Sequence, residues 1–131
     1  MPDSCDAVDA LQHINLRSAD VNRSRDFYVD VIGLHVGPRP PIASVGYWLY
    51  LGAVPVIHLV QRPLDVPSQS GTGAVDHVAF HGVDFDTTRA RFSARGVAFH
   101  EALIPRDGTR QLFVHDPDGV KIELNFDAAC A

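Results

Sequence analysis

At 131 residues, 46% hydrophobic and 21% charged, the chain has the length and composition of one compact domain, or of two half-sized modules sharing a core. A formal net charge of -5 leaves no electrostatic footprint for nucleic acid or an anionic membrane, and no apolar run approaches the roughly 20 residues of a membrane span. The opening MPDSCDAVDA lacks the basic start and apolar stretch of a signal peptide, and Cys5 and Cys130 form no CxxC, so a reducing cytoplasm is the expected setting.

The first strand signal lies at Leu11 to Leu16, where Ile14 and Leu16 share a face that excludes His13 and Asn15. A helix follows, with Asp20 as N-cap, Ser24, Phe27, Tyr28, Val31 and Ile32 at helical spacing, and Gly33 as its stop. Strands are expected at Leu34 to Gly37, Val45 to Leu51 and Val54 to Val60, with Gly52-Ala53 at the last hairpin. The proline-rich loop Gly37 to Ser44 is expected to edge the site, and this first module spans about residues 8–62. Residues 61–73, QRPLDVPSQSGTG, replace periodicity with Pro, Ser and Gly and read as a linker.

The second module, about residues 74–127, repeats the first. His13 matches His77 and Asp20 matches Asp84, each 64 positions on, while Gly33 matches Gly96 at 63, a one-residue slip within the helix. Its strand is expected at Val75 to Phe80 and its helix from about Asp86 or Thr87 to Arg95, with Phe85 as a hydrophobic staple and Phe92 as its single large apolar residue. Strands at Val97 to Leu103, Thr109 to His115 and Val120 to Phe126 complete it, the last two joined by a four-residue Asp116 to Gly119 turn. The expected fold is therefore α+β: two tandem β-α-β-β-β modules around an open mixed β-barrel.

The last strand of each module carries the chemistry. In Val56 to Val60, Ile57 and Leu59 take one face and His58 the other. In Lys121 to Phe126, Ile122, Leu124 and Phe126 take one face, and Glu123 and Asn125 the other. His58 and Glu123 are 65 apart, so they are equivalent under the repeat. A lone polar residue on such a strand usually just faces solvent, but four at equivalent positions argue for one centre. His13, His58, His77 and Glu123 are thus the expected ligands of one divalent metal ion. Imidazole with carboxylate suits zinc, nickel, cobalt, manganese or iron(II).

On the same faces, Asn15 and Arg17 accompany His13, and Asn125 accompanies Glu123. The four-residue turn pairs Leu112 with Glu123 and Arg110 with Asn125, so Arg110 joins Asn15, Arg17 and Asn125 as an expected substrate-binding residue. The same register puts His115 on the face opposite Glu123. His35, His81 and His100 fall outside the repeated set, Arg106 has less support, and Tyr47, Trp48 and Tyr50 are left unassigned.

Through HINLRSAD, RDFYVDVIGL, VDHVAF and above all FVHDPDGVKIEL, the chain resembles the vicinal oxygen chelate superfamily from Leu11 to Phe126. This group contains glyoxalase I, methylmalonyl-CoA epimerase, fosfomycin- and bleomycin-resistance proteins and extradiol dioxygenases. The resemblance implies the paired-module, metal-centred barrel and puts ligands at His13, His77 and Glu123. His58 departs from the pattern, standing where glyoxalase I has a glutamate and the epimerase a glutamine. Arg17 stands where glyoxalase I has a glutathione-contacting arginine, whereas Arg62 stands where an asparagine is wanted.

The resemblance implies a metal-dependent lyase or isomerase that chelates vicinal oxygens and stabilises an enediolate, with His58 or Glu123 as base. A ring-cleaving dioxygenase built on two histidines and a carboxylate is the second reading. A non-catalytic small-molecule binding or resistance protein is the third. It further implies a homodimer, with the site within one chain or shared between two.

Overall fold

The computed structural model describes residues 7–67 and 72–129. Cys5, Cys130 and Ser68 to Gly71 of the expected linker lie outside the described residues. Eight strands and two helices follow in the order β1 (Ile14–Ser18), α1 (Val21–Phe27), β2 (His35–Gly37), β3 (Gly46–Leu51), β4 (Val54–Gln61), β5 (His77–His81), α2 (Phe85–Ala94), β6 (His100–Leu103), β7 (Arg110–His115) and β8 (Lys121–Phe126). They form two four-stranded mixed sheets, ordered β1-β4-β3-β2 and β5-β8-β7-β6. In each sheet the first and last strands run parallel and the other pairs are antiparallel. The sheets are the two expected β-α-β-β-β units; within one chain they remain two open sheets and do not close into a barrel.

One apolar layer runs under both sheets. From the first it takes Leu49, Ile57 and Leu59, and from the second Leu112, Val114, Ile122, Leu124 and Phe126. The helices close it with Val21, Tyr28 and Val31 on one side and Phe85 and Phe92 on the other. Strand alternation then turns every intervening residue to the opposite face, which becomes the concave face of each sheet.

Asp20 and Asp84 cap the two helices, their carboxylates accepting from the backbone N–H of Arg23 and Thr87 at 3.1 and 3.0 Å. Phe85 is the first residue of α2 rather than a staple outside it. With Thr88 and Phe92 it forms a buried stripe at i, i+3 and i+7, which a count of large apolar residues alone does not find.

The slip in the repeat has a local cause. Tyr28 and Phe92 are equivalent and both fully buried, but α1 continues into a π-helical turn at Tyr28–Ile32. There the Gly33 N–H reaches back five residues to the Tyr28 carbonyl at 3.0 Å. The wider turn absorbs the extra residue, and Gly33, at φ 99°, ends it. The Tyr28 hydroxyl is thereby brought onto the other module, donating to Asp116 Oδ2 at 2.6 Å. Beside it, Ser24 donates to Asp118 Oδ2 at 2.8 Å and the Ala19 N–H to Asp118 Oδ1 at 2.9 Å. The β7–β8 turn of the second module is thus tied to α1 of the first.

Candidate functional site

His13 immediately precedes β1, and His58 lies on β4 paired with Asn15 on one side and Trp48 on the other. The His58 ring is held in a stack, with its centroid 3.8 Å from that of His13 and 4.0 Å from that of Trp48, at interplanar angles of 10° and 11°. Only 9% of His58 is exposed, and its Nε2 is buried with no partner. Burial lowers its pKa, and the neighbouring charges of His13 and Arg39 act in the same direction against an opposing backbone contact to Pro55. Trp48, left unassigned on sequence grounds, is the wall of this half-site. It was missed because its register depended on the hairpin to β4, where a bulge opposes Leu49 to Ile57 but Tyr50 to Pro55.

The second sheet builds an equivalent pair. His77 Nε2 lies 3.3 Å from Glu123 Oε1, with 37% and 14% of the two side chains exposed. Glu123 Oε2 accepts from Asn125 Nδ2 at 2.7 Å, and Asn125 Oδ1 accepts from Gln111 Nε2 at 3.0 Å. The carboxylate is thus gripped from both ends. The repeat extends to supporting residues as well. His77 Nδ1 is 2.8 Å from Asp76 and His13 Nδ1 is 3.0 Å from Gln12, which is 64 positions earlier than Asp76. Each histidine is therefore oriented through Nδ1, and its Nε2 is left for another partner.

These pairs can be tested against a metal ion. Two donors at bond lengths of about 2.1 Å from one ion, at right angles, sit about 3 Å apart, and the His77–Glu123 separation fits that. The buried Nε2 of His58, without a hydrogen-bond partner, is a free donor atom on this face. The His13–His58 pair fits less directly, because the in-plane lone pairs of parallel rings do not converge on one point. One of the two rings has to leave the stack for both to bind the same ion. Among the described residues no three His, Cys, Asp or Glu side chains gather at metal-binding spacing. The structure brings the four sequence-derived residues together as two pairs, not as one quartet.

Two expectations about β7 are corrected. The loop between β7 and β8 is one residue shorter than expected, because Asp116 N–H donates to the Val120 carbonyl and the loop proper is Pro117-Asp118-Gly119. This is the three-residue hairpin with a left-handed glycine, Gly119 at φ 85°. The register moves by one, so Phe113 pairs with Glu123 and Arg110 with Phe126. Arg110 accordingly leaves the concave face and lies over the Phe85 ring, 4.3 Å from its centroid. His115 moves the other way and shares the Glu123 face, as do Gln111 and Phe113.

Asn15 and Arg17 line a cavity of about 560 Å³ between the β1 and β5 edges, together with His77, Val78, Asp116 and Val120. Residues of both modules therefore meet there, with His77 joining the cavity to the Glu123 pair. His100, Phe113, His115 and Lys121 line a second cavity of about 620 Å³ further along the second sheet. Arg106 is exposed and pairs only with its neighbour Asp107 at 3.9 Å.

The sequence profile described as "Glyoxalase/Bleomycin resistance protein/Dioxygenase superfamily" matches residues 10–124. Glyoxylase I 4 of Arabidopsis thaliana is 29% identical over 121 residues, which span 88% of this chain and 69% of the relative. Among solved structures, a glyoxylase/bleomycin resistance protein/dioxygenase domain from Frankia sp. EAN1pec superimposes with a TM-score of 0.77 at 16% identity, covering 95% of this chain and 96% of that one. Lactoylglutathione lyase from Agrobacterium tumefaciens gives 0.63 at 21% identity, covering 89% and 92%.

Proposed function

This chain belongs to the glyoxalase/bleomycin resistance protein/dioxygenase superfamily, and on that premise we propose that it is a divalent-metal-dependent lyase or isomerase acting on two neighbouring oxygens of a small substrate. The observation that carries the reading is the repeated pair: His77 with Glu123, His13 with His58, each first-strand histidine oriented through Nδ1. His13, His58, His77 and Glu123 would hold the ion. When bound, it supplies Lewis acidity to the vicinal oxygens and favours their enediolate form.

The chain's own groups do the rest. Glu123 is the leading base, because its carboxylate lies against His77 and is oriented by Asn125. His58 is the alternative if it is displaced from the ion, which frees its unpartnered Nε2 to accept a proton. Asn15 and Arg17, which line the same cavity as His77, would hold the remainder of the substrate. Because each chain contributes separate pairs, we propose that the centre is completed in a homodimer, the β1/β4 pair of one subunit facing the β5/β8 pair of the other.

One observation favours a second reading. If the parallel stack persists, His58 is not a ligand and the remaining set is His13, His77 and Glu123, the two-histidine, one-carboxylate pattern of iron(II) oxygenases. Elemental analysis of protein purified without added metal, repeated on His77→Ala and His58→Ala, tests both. The lyase reading expects near-stoichiometric metal in wild type and loss in both variants. Undiminished metal in His58→Ala, with oxygen uptake on catechols, supports the dioxygenase; no metal in wild type sinks both. For the lyase, proton NMR in deuterium oxide should show solvent deuterium entering a 2-hydroxycarbonyl substrate beside its carbonyl.

A further inference from the structure

The loop between β2 and β3 is pinned against the first concave face. The Tyr50 hydroxyl donates to the Pro38 carbonyl at 2.6 Å, which sets the next residue, Arg39, over the start of β3. Its Nη2 lies 3.3 Å from where a Cβ on Gly46 would stand, two residues along the strand from Trp48. Glycine at 46 leaves that space open, and any side chain there would also clash with the Leu59 carbonyl. The two terminal nitrogens of the guanidinium donate to the carbonyl and hydroxyl of Ser44, at 2.9 and 3.0 Å. Among the described residues no carboxylate lies within ion-pair distance of Arg39, and its Nε is buried without a partner.

A guanidinium has five N–H donors in a planar fork. Ser44 takes one on each terminal nitrogen, so Nε–H and one terminal N–H remain along one edge, spaced for the two oxygens of a carboxylate. Arg62 and Arg110 also carry an unpartnered Nε. Arg62 donates to the Val66 carbonyl and lines the cavity beside Asn15 and Arg17, and Arg110 lies over Phe85 on the core side. Arg39 alone of the three stands beside the Trp48–His58 wall.

We propose that Arg39, held by Ser44, binds a carboxylate of the substrate, so that the substrate class is a small 2-hydroxycarbonyl compound that carries a separate carboxylate, anchored on the first module. This rests on the proposed reading of the site for the position of the reacting oxygens, but the anchor itself needs no metal.

Trp48 is the only tryptophan in the chain, so its emission reports on this wall directly. Lactate and its neutral analogue lactamide are titrated into the protein as purified and again after treatment with EDTA, following Trp48 fluorescence. Lactate should give a saturable change in both preparations and lactamide none. Arg39→Gln should weaken lactate roughly tenfold or more, as loss of a charge-assisted pair implies. Arg39→Lys should fall between, keeping the charge without the fork. Ser44→Ala, which removes one of the two bonds that hold the guanidinium, should also weaken lactate and serves if Arg39→Gln does not fold.

Lactate binding that is unsaturable, matched by lactamide, or unchanged in folded Arg39→Gln overturns the anchor. Arg39-dependent binding in a protein that takes up none of zinc, nickel, cobalt, manganese or iron(II) keeps the anchor and rejects the metal reading. Metal uptake with binding indifferent to Arg39 does the reverse.

Discussion

At the scale of single residues, the contact between Tyr28 and Asp116 is the most demanding. Burial raises the Asp116 pKa, with the Asp118 charge adding to it, against three hydrogen bonds that stabilise the charged form. The same burial and the Asp116 charge raise that of Tyr28. A carboxyl raised on folding adds stability that is fully present below its unfolded pKa of about 3.9 and is lost as pH rises through the folded value. Asp116→Asn should therefore improve relative to wild type from pH 4 to pH 7, read by urea unfolding at each pH. A gap that widens with pH would contradict the assignment. Tyr28→Phe leaves the carboxylate without its hydroxyl donor and should cost about 1–3 kcal/mol by the same measurement, with little change in slope. Both residues were placed by the sequence only as a helix position and a turn position. Their meeting spans 88 positions and could not be read from either segment.

At the scale of elements, strand parity carried most of the reading. It put His13, His58, His77 and Glu123 on the faces opposite the core, where they stand. It failed where a turn length had to be guessed: one residue in the β7–β8 loop exchanged Arg110 for His115 on the concave face, because side chains alternate with period two. The helix slip was legible as a number and not as a shape. A π-helical turn and a loop insertion give the same offset, and only the Gly33 N–H bond to Tyr28 distinguishes them. Gly33, at φ 99°, should tolerate no side chain easily. Gly33→Ala is expected to lose about 1 kcal/mol or more in chemical denaturation, and an unchanged midpoint would show that the turn can be rebuilt.

At the scale of the whole molecule, the two pairs lie on separate open sheets, and no helix among the described residues is long and apolar enough to cross a membrane. If the centre is shared between subunits, sedimentation should give a dimer. His13→Ala and His77→Ala should each lose metal alone. Their heterodimer should regain one complete centre of two, since one interface joins two intact halves and the other joins two damaged ones. Mixing that restores nothing, in a confirmed heterodimer, would place the centre within one chain.

What the sequence determined by itself was everything periodic: two modules, their strands and capped helices, and which residues oppose the core. These follow from local alternation and spacing, which need no knowledge of distant chain. Tertiary structure alone decided the rest. It set the β7 register, the Trp48–His58–His13 stack, the hold of Ser44 on Arg39, and the division of the four candidate ligands into two pairs. Each of these depends on how far one segment's side chains reach into another's space, and that is settled only when the sheets and helices pack.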